Sequence, residues 1–212
     1  GSGRRVFIAE LALDGRLRPV RGILPAVIAA VDAGYPEIIV AEPNADEAAL
    51  VPGAEVNGFT SLAEVAAFLG ADPERLVFPP QMPARADSAS GEPAAAHRPQ
   101  RDMSDIAGQS EARFAVEVAA AGAHHLLMTG PPGAGKTMLA ERLPGLLPDL
   151  SDAHAMEVTA IHSLVSGGRT CSRLVRRPPF ESPHHTASSA AIIGGGSGIA
   201  RPGAASRAHR GV

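Results

Sequence analysis

Residues 130 to 137 read Gly130-Pro131-Pro132-Gly133-Ala134-Gly135-Lys136-Thr137. Three glycines and two prolines in eight positions exclude a regular helix or strand through the segment. The spacing is G-x-x-x-x-G-K-[ST]. A short apolar run at 125–129 predicts a strand entering the loop. The spacing from Lys136 to about Leu143 predicts a helix leaving it, stopped by Pro144 and Pro148. Such a strand–loop–helix turns backbone N–H groups inward around a phosphate, and the helix start adds partial positive charge. Lys136 is then placed to bridge β- and γ-phosphates, and the Thr137 hydroxyl to ligate Mg²⁺. The loop, with Met138 behind it, reads as a site for ATP with Mg²⁺. The competing explanation, a chance glycine-rich turn, does not account for all four fixed positions of the eight-residue pattern being matched in that setting.

Composition supports the same assignment. The chain has 212 residues, room for one domain or two small ones. It is 45% hydrophobic but only 3% aromatic, so its core is aliphatic. Of 19 basic residues, Lys136 is the only lysine. A compact ammonium thus stands where the pattern needs one to reach between phosphate oxygens. A net charge of −3 gives no global attraction to nucleic acid or membrane. No apolar run is long enough to span a bilayer. The single cysteine, Cys171, excludes an internal disulfide and a cysteine-cluster metal site, and fits a reducing, cytoplasmic setting.

Three regions differ in texture. Residues 1–72 alternate strand and helix signals: a strand over 6–13, a hairpin turn at Asp14-Gly15, a returning strand over 16–20, a helix over 23–33 capped at Gly34, and a strand over 37–41. Asn44 then reads as the N-cap of a short helix, and Ser61-Leu62-Ala63-Glu64 as a capping box. Residues 73–103, rich in Pro, Ala, Arg and Ser, read as a linker. Residues 104–212 open with an amphipathic helix over 109–121, followed by the loop and a helix over 152–166. Short strands are expected around 174–175 and 191–193. The class is α/β, with a partial three-layer αβα domain in the third region.

Hydrolysis requires an acidic pair at the end of a later apolar strand. None follows Thr137, and Asp149 and Asp152 lie in a proline-flanked turn. The expectation is that the 212 residues stop inside a catalytic core.

Several segments carry a family resemblance: Asp105-Ile106-Ala107-Gly108-Gln109, His124-His125-Leu126-Leu127-Met128, the loop itself, Arg142-Leu143-Pro144-Gly145-Leu146-Leu147-Pro148, Ser182-Pro183-His184-His185-Thr186 and His209-Arg210-Gly211-Val212. They resemble the bacterial magnesium-chelatase-like AAA+ ATPases of the YifB/ComM group, over nearly the whole chain. Where that family carries Pro-Gly-Glu-Ile-Ser, this chain has Pro202-Gly203-Ala204-Ala205-Ser206. The resemblance implies a hexameric ring and ATP-driven movement on a polymer. DNA, in branch migration, is implied first, with a protein-remodelling motor and a nucleotide-binding fragment without turnover as alternatives. It also implies that Ile106, Gly108 and Gln109 lie near the adenine, that the catalytic acids follow Val212, and that residues 1–72 are the C-terminal part of a Lon-protease-like domain. There Leu24 stands where a protease keeps its lysine, so peptidase chemistry is not expected.

Other polar residues have less specific readings. Adjacent histidines on a strand point to opposite faces, so neither His124-His125 nor His184-His185 chelates easily. His184 and His185 are expected in structural hydrogen bonds or in contact with a neighbouring subunit or DNA. Arg173, Arg176 and Arg177 fit a solvated loop as well as they fit a phosphate backbone.

Overall fold

A computed structural model describes residues 4–80, 101–165, 171–196 and 200–212. They form two compact units. The first holds the described residues of 1–93 and 159–174, and the second those of 94–158 and 175–212.

The first unit is built on a parallel sheet. Its strands are β1 (Arg5–Ile8), β4 (Glu37–Ala41) and β5 (Glu55–Phe59), in the order β1-β4-β5. Both pairings are parallel, with Phe7 opposite Ile39 and Ile39 opposite Asn57. The central strand is almost wholly buried at Ile38, Ile39, Val40 and Ala41, as expected for a parallel strand covered on both faces. Helix α1 (Ile23–Asp32) adds Ile23, Leu24 and Val27 to this core. It ends where expected, at Gly34 with φ 83°, whose N–H returns to the Val31 carbonyl.

The single strand expected over 6–13 is divided. Its first half is β1. Its second, β2 (Glu10–Leu11), leaves the sheet to pair antiparallel with β3 (Leu17–Arg18) around the Asp14-Gly15 turn. Strand β5 was not legible in the sequence, because Asn57-Gly58 inside it reads as a turn. The glycine answers instead to packing: a Cβ at Gly58 would meet the Ala45 Cβ at 3.0 Å and the Glu42 Cα at 3.3 Å.

Asn44 also differs from expectation. It makes no cap for α2 (Ala45–Ala48). Its buried amide accepts the Val20 N–H at 2.8 Å and donates to the Val20 carbonyl at 3.1 Å, satisfying a loop backbone that lacks a strand partner. Ser61 does cap α3 (Leu62–Phe68), accepting the Glu64 N–H at 3.3 Å. The Glu64 carboxylate accepts the Thr60 N–H and hydroxyl.

One carboxyl in this unit is buried. Glu47 is 3% exposed. Its Oε2 accepts the Cys171 N–H at 3.2 Å. Burial pushes the acid above its ordinary value, and the Ser163 hydroxyl and Cys171 N–H offset part of that.

The second unit contains α4 (Ser110–Gly122), α5 (Lys136–Ala140) and α6 (Leu143–Leu146). It also holds residues 152–158 of α7 (Asp152–Ser163), then α8 (Ser189–Ile193), the short ladder of β6 (Gly194–Gly195) with β7 (Arg201–Pro202), and α9 (Ala204–Arg207). Four expectations fail here. Residues 125–129 form no strand: no described segment pairs with them, and Leu127 is 87% exposed. Residues 191–193 are helical, because the Ser188 hydroxyl caps α8 by accepting the Ala191 N–H, and this local bond outweighs the β-branched preference of Ile192 and Ile193. Residues 174–175 form no strand. The helix after the loop is interrupted, with Pro144 near the start of α6 instead of ending α5. The linker expected over 73–103 is described only at 73–80 and 101–103, and residues 166–170 lie outside the described residues.

The last described segment is tied in by a two-pronged ion pair. Arg207 Nε and Nη2 each donate to a Glu181 carboxylate oxygen at 2.9 Å. The Val212 N–H donates to the Pro179 carbonyl at 2.9 Å, and the Glu181 N–H donates to the Val212 carbonyl at 2.8 Å.

Candidate functional site

The octapeptide is an open, largely exposed loop that runs directly into α5. The Ala134 N–H folds back to the Pro131 carbonyl at 3.3 Å. The backbone is left-handed at Gly133 (φ 82°) and Gly135 (φ 80°), where an L side chain is strained. A Cβ on Gly133 would meet nothing within 4 Å, so φ alone requires that glycine. A Cβ on Gly135 would also come within 2.7 Å of Gln109 Nε2.

Lys136 opens α5 and turns back over the loop. Its ammonium donates to the Gly130 and Pro131 carbonyls, each at 2.8 Å. Thr137 and Met138 follow on exposed positions of the first turn. Nothing from 130 to 138 is acidic. Left-handed glycine backbone, one ammonium held only by neutral carbonyls and one hydroxyl make a donor set suited to a polyphosphate with its divalent cation.

Residues 102–109 brace this loop. Asp102 and Asp105 form a reciprocal capping box: Asp102 Oδ1 accepts the Ser104 N–H at 2.8 Å, and Asp105 Oδ2 accepts the Asp102 N–H at 3.2 Å. The Ser104 N–H and hydroxyl hold the Asp102 carboxyl below its ordinary range, and the Arg142 charge adds to this. Ile106 is 1% exposed and packs with Met103, Val116 and Leu139, with Leu126, Met128 and Leu143 against them. The side chain expected near a base is therefore a core side chain that joins the brace, α4 and α5. Gly108 and Gln109 are exposed, with φ 71° and 49°. Gln109 Nε2 donates to the Ala134 carbonyl of the loop at 3.2 Å.

Arg142 was not singled out from the sequence. Its Nε donates to the Asp102 carbonyl at 2.9 Å, Nη1 to the Met138 carbonyl at 3.0 Å, and Nη2 lies 3.4 Å from Asp105 Oδ2. Arg113 donates to the Ile106 carbonyl at 3.2 Å, and Arg101 pairs with Glu141. The Asp102-x-x-Asp105 spacing was the one available signal, as an acidic variant of a capping box.

The remaining candidates lie elsewhere. His184 Nδ1 lies 2.7 Å from the Thr186 hydroxyl and 3.3 Å from the Thr186 N–H. The His184 and His185 rings are 4.1 Å apart between centroids. Among the described residues no group of three or more His, Cys, Asp or Glu is arranged to hold a metal. Arg176 pairs with Asp152 at 2.6 Å. No described helix is long and apolar enough to cross a membrane.

Residues 102–212, just over half the chain, match the family described as magnesium chelatase, subunit ChlI. Residues 2–44 match a second family, subunit ChlI of Mg-chelatase. An uncharacterized protein of Mycobacterium tuberculosis is 53% identical over 98% of this chain and 39% of its own length. The competence protein ComM of Haemophilus influenzae is 42% identical over 97% of this chain and 39% of its own. YifB of Escherichia coli is 42% identical over 97% and 38%. The chain thus spans about two fifths of the length of these relatives. It belongs to the magnesium-chelatase ChlI family.

Proposed function

We propose that residues 130–138 bind the polyphosphate of Mg·ATP, and that this chain is the nucleotide-holding part of an AAA+ motor. The observation that carries this reading is the Lys136 ammonium, seated on the Gly130 and Pro131 carbonyls inside a loop that is left-handed at Gly133 and Gly135. Neutral carbonyls are weaker partners for an ammonium than phosphate oxygens are, so the amine can exchange onto a ligand. Lys136 and the loop N–H groups would hold the phosphates, and Thr137 the Mg²⁺. The bound cation would supply charge neutralisation between the phosphates.

Titration of the chain with ATP and Mg²⁺ tests this. Saturable binding that Lys136→Ala abolishes is expected, and undiminished binding by that variant overturns the assignment. The polymer we propose is DNA, driven by a homo-hexameric ring. Support comes from the relative that is named a competence protein and from the family resemblance. The first unit serves assembly: Leu24, at the position of a protease lysine, is fully buried in its core.

A further inference from the structure

The contact between Gln109 and the loop has a consequence for the loop's own donors. Ala134 and Gly135 share one peptide plane, and no peptide bond among the described residues is cis. In a trans peptide the C=O and the following N–H point in opposite directions. Whatever holds the Ala134 carbonyl therefore sets the direction of the Gly135 N–H. Gln109 Nε2 holds it at 3.2 Å. A carbonyl acceptor also fixes which end of the Gln109 amide faces the loop, since only its NH₂ can donate. No described residue accepts the Gly135 N–H.

The chain spends conformational energy to make this contact. Gly108 and Gln109 are left-handed in succession, and for Gln109 that region is disfavoured. The αL turn places Gln109 at the N-terminal end of α4, where its own carbonyl accepts the Arg113 N–H. Gly135 is correspondingly bare where Gln109 arrives, because a Cβ there would stand 2.7 Å from Nε2. The capping box, Arg142 and the Ile106 cluster hold residues 102–106, just before this turn.

We propose that Gln109 is a positioning residue of the phosphate loop: its side-chain amide anchors the Ala134 carbonyl and so presents the Gly135 N–H to a bound phosphate. This rests on the nucleotide reading, and it assigns Gln109 to the phosphates in place of the base. The loss on removing the anchor is therefore independent of the base.

The test compares ATP with inorganic tripolyphosphate, which has no base, using the unaltered chain, Gln109→Ala and Gln109→Met. Methionine matches glutamine in length and packing but donates no hydrogen bond. Both variants should bind ATP and tripolyphosphate more weakly by the same factor, about three- to tenfold for one neutral hydrogen bond. The Gly135 amide resonance should move in both ligand-free variants while the rest of the spectrum stays dispersed. In the unaltered chain, tripolyphosphate should shift Gly135, and adenosine alone should leave the Gln109 side-chain amide unmoved. A loss confined to ATP, a Gln109→Met that behaves as the unaltered chain, or a Gln109 amide shifted by adenosine overturns the proposal even if a variant fails to fold. An unaltered chain that binds neither ligand sinks the nucleotide reading as well, whereas normal binding with indifferent variants sinks only the role of Gln109.

Discussion

Glu47 shows how one side chain can make a whole unit sensitive to pH. Its carboxyl is raised above the ordinary 4.5, chiefly by burial. A raised acid keeps its proton in the folded state at pH values where the unfolded chain has already lost it. The associated stability is therefore complete below about pH 4.5 and declines as pH rises through the higher folded value. Glu47→Gln retains an oxygen for the Cys171 N–H and cannot ionise. We expect it to raise the unfolding midpoint of the chain at pH 7 to 8 and to lose that advantage near pH 4, as followed by thermal melts across the range. A variant that destabilises equally at every pH would show that the neutral acid is not the form the fold prefers.

At the scale of elements, the order of the chain in the first unit was largely legible. Asp14-Gly15, Gly34 and Ser61 with Glu64 are local signals, and each acts where it stands in the sequence. What was not legible depends on distant partners. Asn44 was read as a cap because asparagine suits one, yet its amide bonds Val20, 24 residues away. Residues 55–59 carry a local Asn-Gly pair that disfavours a strand, yet β4 recruits them into the sheet. The glycine-rich loop and the helix that follows it were legible because their spacing is self-contained, whereas the braces of the loop are not local. Arg142 reaches Asp102 across 40 residues of sequence. Arg142→Ala removes that bridge together with its bond to Met138. It should cost roughly 1–3 kcal/mol of stability in urea unfolding, since hydrogen bonds to a charged group are lost. Lysine should recover little, because a compact ammonium cannot span the separate acceptors that the longer, planar guanidinium fork reaches. Full recovery by Arg142→Lys would contradict the bridging role.

For the whole molecule, α/β architecture followed from the alternation of signals, and the parallel three-stranded sheet agrees with it. The strand expected before the loop did not form, since an extended run becomes a strand only when another segment pairs with it. The functional consequence concerns turnover. Hydrolysis requires an acidic pair at the end of an apolar strand, and the sequence reading expects none between Thr137 and Val212. We expect a polypeptide of this sequence to bind ATP without releasing phosphate, and a protein of the relatives' full length to hydrolyse it faster when DNA is added. A phosphate-release assay on both decides. Robust turnover by the 212 residues would refute the first expectation, and indifference to DNA would favour a protein-remodelling output. The seat of Lys136 on the Gly130 and Pro131 carbonyls then acquires a kinetic meaning. If a nucleotide binds as proposed, its phosphate oxygens would have to take the Lys136 ammonium from those two carbonyls, so the loop would be both the host and the ligand's first competitor.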